Sequence, residues 1–229
     1  LSAKSAAQQI FWQGAKAMLE RSAGWQRFYN VQVLVGLSVL LFMGGHWSVL
    51  MGSTGALIQL SGLSGCITNT GTGGACVEGN GLDGAGWVEI SPDGNYVYVA
   101  SFNSSTITTF SRNVTTGVLT QLTGTQGCVG ESGDGSTCAH GVGLSGAVAL
   151  SLSPDGKHLY AVSRDNALAA FSRNTTTGVL TQLPGTGGCI ADSGSIDAPN
   201  CAQASILGGP RSIKVSNDGA NVYVGAHDA

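Results

Sequence analysis

Short runs of alternating apolar and polar residues, each closed by a turn signal, fill the chain from Gly55 onward. The middle of this region shows the pattern best. Gly146-Ala147-Val148-Ala149-Leu150-Ser151-Leu152 reads as a strand and stops at Ser153-Pro154-Asp155-Gly156. Proline fixes φ and glycine accepts a positive φ, so Pro-Asp-Gly predicts a tight hairpin. Residues 158–163 form the return strand and 167–173 a third. After the polar turn Asn174-Thr175-Thr176-Thr177-Gly178, residues 179–183 form a fourth.

The same unit recurs about every 62 residues. Ser91-Pro92-Asp93-Gly94 returns as Ser153-Pro154-Asp155-Gly156 and as Ser216-Asn217-Asp218-Gly219. Phe110-Ser111-Arg112-Asn113 returns as Phe171-Ser172-Arg173-Asn174. Leu119-Thr120-Gln121-Leu122 returns as Leu180-Thr181-Gln182-Leu183, with Leu57-Ile58-Gln59-Leu60 as a worn copy. A fixed period of this size means stacked units, none of which can bury its apolar face alone. Four short antiparallel strands per unit predict an all-β chain of propeller blades, about three of them. A 23-residue excursion, 123–145 in the middle copy, is then a Gly-rich surface insertion. The last unit stops after its second strand, which predicts either a longer chain, the favoured reading, or completion of the ring by several chains.

Residues 1–51 break the pattern. Residues 1–30 read as a helix, with Ile10, Phe11, Met18 and Leu19 at rough helical spacing. Residues 31–49 contain no Asp, Glu, Lys or Arg; as a helix they would span roughly 28 Å, near the ~30 Å apolar thickness of a bilayer. The expected division is therefore an N-terminal helix over 1–30, a transmembrane or signal-anchor helix over 31–51, and partial propeller repeats over 52–229. Lys4, Lys16, Arg21 and Arg27 lie on the N-terminal side, so the positive-inside tendency places the repeats on the periplasmic or extracellular side, held to the membrane. A cleaved signal peptide, giving a secreted protein, and a buried core helix are the alternatives. His46 beside Trp47 reads as an interfacial marker.

Six cysteines keep the beat of the repeats: Cys66 and Cys76, Cys128 and Cys138, Cys189 and Cys201. Pairing within each repeat closes a short loop, and persistent disulfides require an oxidising compartment. Charged residues make up 10% of the chain, with 36 glycines and a net charge of −3. That balance suits closely packed strands and excludes the basic face a nucleic-acid binder needs.

The pattern G-A-x-x-x-x-x-S-P-D-G-x-x-x-Y, followed by F-S-R-N and T-G-x-L-T-Q-L, resembles the repeats of the bacterial YVTN/lactonase-like β-propeller family over residues 55–229. The resemblance implies a seven-bladed ring whose channel is lined by the strand preceding each Ser-Pro-Asp-Gly turn. It implies little about activity, because such propellers serve as lactonases, surface proteins and binding platforms alike.

If the first strand of each blade is innermost, one face collects Trp87, Ala149 and Ser212 with the loops Phe102-Asn103, Arg164-Asp165 and His227-Asp228, and Arg211 nearby. Trp87, Arg164, Asp165, Arg211, His227 and Asp228 are the candidate ligand-binding group, for a small anion or sugar or for acid/base work. Asp93, Asp155 and Asp218 are explained by their turns, and Arg112 and Arg173 by a structural contact. Glu131, Asp134, Asp192 and Asp197 in the excursions offer loop oxygens for calcium, yet their spacing matches no EF-hand or RTX pattern. Asn103, Asn113 and Asn174 begin Asn-x-Ser/Thr triplets of weak weight in so Ser/Thr-rich a chain. No metal and no cofactor is implied. The first reading is a non-enzymatic, exported, membrane-tethered binding or scaffold module with protein partners and an unidentified ligand. A lactonase-like hydrolase at the channel mouth and an accessory subunit of a membrane assembly are the rivals.

Overall fold

The computed structural model describes residues 27–29, 31–34, 38–43, 46–51, 56–69, 75–132, 137–204 and 207–227. Its strands are, in order, β1 (Arg27–Tyr29), β2 (Val31–Leu34), β3 (Ser38–Met43), β4 (His46–Met51), β5 (Ala56–Gln59), β6 (Cys66–Thr68) and β7 (Val77–Glu78). The second sheet holds β8 (Ala85–Ile90), β9 (Tyr96–Ser101), β10 (Thr106–Arg112), β11 (Leu119–Gln121), β12 (Cys128–Gly130) and β13 (Ala139–His140). The third holds β14 (Ala147–Leu152), β15 (His158–Ser163), β16 (Ala167–Arg173), β17 (Leu180–Gln182), β18 (Cys189–Asp192) and β19 (Ala202–Ala204). A last hairpin pairs β20 (Pro210–Val215) with β21 (Val222–Ala226).

Four described strands correct part of the expected leader. Strands β2 to β4 stand where a helix over 31–51 was expected, and β1 takes three residues at the end of the helix expected over 1–30; residues 1–26 lie outside the described residues. No helix among the described residues is long and apolar enough to cross a membrane. The physical signal was present: Val31, Val33, Val39 and Val49 favour extended backbone. β3 and β4 pair antiparallel over Ser38–Met43 and His46–Met51.

Each Ser-x-Asp-Gly turn is built by its own side chains. Ser91 Oγ donates to Asp93 Oδ1 at 2.6 Å and accepts from the Tyr96 N–H. Asp93 Oδ1 also accepts the Asn95 N–H, and Gly94 takes φ +72°. Ser153-Asp155 repeats the arrangement around Gly156 at φ +68°. A residue with a Cβ is disfavoured at that backbone angle, which is why glycine closes each hairpin.

The fourth strand differs from the expectation. It is split, so that β11 pairs with the end of β10 and β12 with its start; β17 and β18 divide β16 in the same way. A 3-10 turn, Gly124–Gln126 or Gly185–Gly187, separates the two halves. The cysteine excursion is therefore no bare surface insertion. Its first cysteine opens the second half-strand, and its second precedes a return strand, β13 or β19, that pairs parallel to it. Cys66–Cys76, Cys128–Cys138 and Cys189–Cys201 are all bonded, as the spacing predicted. β1 and β2, with Asn30 between them, pair with β6 and β5 in the manner of such a third strand.

Successive sheets stack with their first strands together, β8 against β14 and β14 against β20. That is a propeller's radial arrangement. Sheets covered on both faces carry near-continuous apolar strands, because alternate residues point to opposite neighbours. Val97 and Val99 pack with Ile67 and Leu82 on one side of the second sheet. Tyr98 and Ala100 pack with Leu150, Leu159 and Phe171 of the third sheet on the other.

Candidate functional site

The hairpins bring the loops after the second strands and the lead-in to the first strands to one end, here called the mouth. In each first strand the register steps over one residue at this end: Gly86, Val148 and Arg211. Such bulges bend a strand and re-aim side chains at the rims of sheets.

Between the second and third sheets the mouth opens into a cavity of about 480 Å³ lined by Phe102, Asn103, Ser105, Ser145, Gly146, Arg164 and Asp165. The Arg164 guanidinium lies 5.5 Å above the Phe102 ring. This cation–π contact orients it without neutralising it. The carboxylate next to it is already engaged, because Asp165 Oδ2 accepts the Ile196 N–H at 2.8 Å and the Ser195 hydroxyl at 3.2 Å. Among the described residues Arg164 has no acidic partner.

Of the sequence-predicted group, Arg164 and Asp165 share this cavity. Trp87 does not line it: the indole lies half-buried between sheets, packed against both neighbouring clusters, with a buried Nε1 that has no partner among the described residues. Arg211 is exposed on β20, and His227 follows β21 with its N–H on Gly209 O. They belong to the next junction along the stack. Asp228 and Asp134 lie outside the described residues.

Other candidates hold the architecture. Glu131 Oε2 accepts the Leu144 N–H at 2.7 Å, Asn69 Oδ1 accepts that of Leu82, and Asp192 accepts that of Leu207. One repeated position thus anchors the lead-in to each following sheet. Among the described residues no group of three or more His, Cys, Asp and Glu side chains is arranged to hold a metal ion. Asn113 and Asn174 spend Oδ1 on the N–H groups two and three residues on.

Sequence reasoning missed a set of clasps between sheets. Ser105 and Asn166 take left-handed φ values of 53° and 59°. Ser105 Oγ accepts the Gly146 N–H, and Asn166 Oδ1 accepts that of Gly209. The strain at these mouth residues is offset by holding the next sheet in place. Glu89 Oε1 and Ser151 Oγ likewise accept the N–H of Leu152 and Val215. A polar residue just before each third strand was the available signal.

Glu131 also meets Asp197, which is 3% exposed and has an unpartnered Oδ2. Burial pushes Glu131 up to about 7; the Leu144 N–H opposes this, and the nearby Asp197 carboxylate adds to it. Between the ordinary 4.5 and about 7 the folded chain holds a proton that the unfolded chain has released. Stability should therefore fall as pH rises through that window, and level off above it. Glu131→Gln keeps the acceptor for Leu144 but abolishes this titration. Urea midpoints at pH 5 and pH 8 should differ less in the variant than in the parent chain; an unchanged difference contradicts the assignment.

The fold and mouth define an array of propeller-type blades with a polar opening, among whose described residues no sheet closes on itself. No protein-family model matches the chain, and no curated relative was found. Among solved structures it is similar to a protein from Lactobacillus plantarum, at 30% identity over 61% of this chain and 33% of that one, with a TM-score of 0.41. A putative 6-phosphogluconolactonase from Bacteroides uniformis is 20% identical over 71% and 40%, with a TM-score of 0.37. The periplasmic gluconolactonase of Pseudomonas aeruginosa is 18% identical over 65% and 34%, with a TM-score of 0.39. The chain spans 33–40% of the length of these proteins.

Proposed function

We propose that this chain is a binding module whose mouth, between the second and third sheets, holds a small anionic ligand such as a sugar acid. The carrying observation is the Arg164 guanidinium, stacked on Phe102 and without an acidic partner among the described residues, at a cavity of about 480 Å³. Asn103, Ser105 and Ser145 supply the polar lining a hydroxylated carboxylate would need. Three disulfides fit work outside the cytoplasm, in an oxidising environment.

Calorimetric titration with gluconate tests this reading. Arg164→Ala should weaken binding at least about tenfold, or roughly 1.4 kcal/mol, with Arg164→Lys between the two. Absence of binding, or equal binding by Arg164→Ala, would refute it.

One observation favours a second reading, a hydrolase opening cyclic esters. Glu131, with a proton affinity near neutrality, is bonded through its N–H to Ser105 O at the cavity wall. Hydrolysis of gluconolactone above the buffer rate, lost in Glu131→Gln, would establish that reading in place of simple binding.

A further inference from the structure

The geometry points to Asp165 as the residue that sets the ligand class at the mouth: its open carboxylate oxygen selects a molecule with an ammonium beside its carboxylate, an α-amino acid. The inference rests on the reading that Arg164 holds the ligand's anionic end, and names what stands next to that end.

Arg164 and Asp165 are the charged residues lining the cavity, and they are neighbours in sequence. Opposite charges so placed would ordinarily pair. Here they do not, because each is held by something else. The Arg164 guanidinium lies on the Phe102 ring. Asp165 is fixed by the excursion that Cys189–Cys201 closes: Ser195 Oγ and the Ile196 N–H both donate to its Oδ2. That excursion is itself braced. The Ser195 N–H donates to Asp192 O, the Asp197 N–H to Ser195 Oγ, and the Asp192 N–H to the carbonyl of Asn166, the residue after Asp165.

Both bonds to Asp165 fall on one oxygen. Among the described residues no donor reaches Oδ1, so the cavity offers a fixed cation and, beside it, a fixed acceptor whose charge is not neutralised. This combination discriminates between ligands of the same size. A plain carboxylate satisfies Arg164 but is repelled by Asp165, and a repulsive element of this kind is how a site rejects a near match. A hydroxyl next to the carboxylate gains a hydrogen bond to Oδ1. An ammonium gains the bond and also pairs the two charges, at a place where Arg164 and Asp165 cannot pair each other. Phe102 is 39% exposed and leaves apolar surface in the same cavity for the ligand's side chain.

Calorimetric titration with three carbon-matched ligands tests the proposal: leucine, leucic acid, in which a hydroxyl replaces the amine, and isocaproate, which has neither. The parent chain should bind leucine at least about tenfold tighter than isocaproate, with leucic acid between them. In Asp165→Asn the side-chain oxygen is still required by Ser195 and Ile196, so the amide NH2 faces the cavity and a donor stands where the acceptor was. The preference for leucine should then fall at least about tenfold, with isocaproate, no longer repelled, binding more tightly than before. Circular dichroism checks that the variant folds; the order of the three ligands on the parent chain needs no variant. Gluconate titrated alongside separates this inference from the reading beneath it. Gluconate binding with the three ligands equal, or with a preference that survives Asp165→Asn, would overturn this inference alone. Binding of none of the four would overturn both. Leucine bound in the predicted order without gluconate would uphold the role of Asp165 and reject a sugar acid as the occupant.

Discussion

Arg173→Ala should cost the fold about 3 kcal/mol, read as a lowered urea midpoint, whereas Arg112→Ala should stay within about 1 kcal/mol. The two residues end the same motif, so the contrast isolates what a neighbouring sheet adds. Arg173 is 5% exposed and joins three groups of two sheets: Asp93 Oδ2, the Tyr98 hydroxyl through Nε at 2.7 Å, and Gly156 O. It also lies 5.2 Å above the Tyr96 ring. Removing it strands Asp93 Oδ2, while the buried Tyr98 hydroxyl loses a donor but keeps its bond to Gly178 O at 2.8 Å. The Asp93 side chain is 34% exposed, and this solvent access keeps the cost at the low end of the roughly 3–5 kcal/mol range for broken buried pairs. Arg173→Lys should recover little, because one ammonium cannot reproduce a planar fork serving three acceptors. Burial alone would raise Asp93, but hydrogen bonds from Ser91, the Asn95 N–H and Arg173 outweigh it and hold the carboxyl below its usual range. Its contribution is present above the ordinary 3.8 and disappears as pH falls through the depressed folded value. Equal losses for Arg173→Ala and Arg112→Ala would show that the inter-sheet pairing contributes nothing.

Opening one disulfide is the second large effect. Cys128→Ser with Cys138→Ser should lower stability by about 3 kcal/mol, the chain-entropy cost of freeing a loop of this length, and Cys189→Ser with Cys201→Ser by a similar amount. The sequence separations, 10 and 12, differ too little to distinguish them. The loss should reach beyond the loop. Cys128 starts the strand that carries Val129 into the core shared by two sheets, and β13 pairs with that strand. Hydrogen exchange in the paired variant should therefore quicken at Thr106, Ile107 and Thr108, which face β12, while Phe110 and Ser111, facing β11, keep their protection. Quickening confined to residues 131–138 would instead mean that the bond tethers a loop and nothing more.

Much of the blade was legible because its signals are local. A Pro-Asp-Gly turn, an alternating run and a cysteine pair each report on a few adjacent residues. The second and third strands of the middle copy, expected over 158–163 and 167–173, stand at His158–Ser163 and Ala167–Arg173. The split fourth strand was not legible. Gly-Thr-Gln and Gly-Thr-Gly look like the end of a strand, and the resumption at Cys128 or Cys189 depends on an empty stretch of edge on β10 or β16. Residues 31–51 misled for a related reason. A run without charged side chains suits a lipid-facing helix and an extended strand equally. At the site, Arg164 and Asp165 could be brought together because they are neighbours in sequence. That Asp165 is engaged while Arg164 is not depends on Ser195 and Ile196, thirty residues away, and no periodicity announces that pairing. The clasps by Ser105, Asn166, Glu89 and Ser151 were half hidden: the polar acceptor is visible in the sequence, but its partner is a main-chain group that residue type does not reveal.

Those clasps bear on how such a chain can change over time. Every one of them takes a peptide N–H from the sheet that follows: Gly146, Leu152, Gly209 or Val215. Two of the four donors, Gly146 and Gly209, are glycines with φ +67° and +60°, so the receiving segment contributes a backbone shape and not a side chain. These four contacts therefore ask of the following module only a peptide N–H in the right place, a demand that a tandem copy of the same module meets from the start.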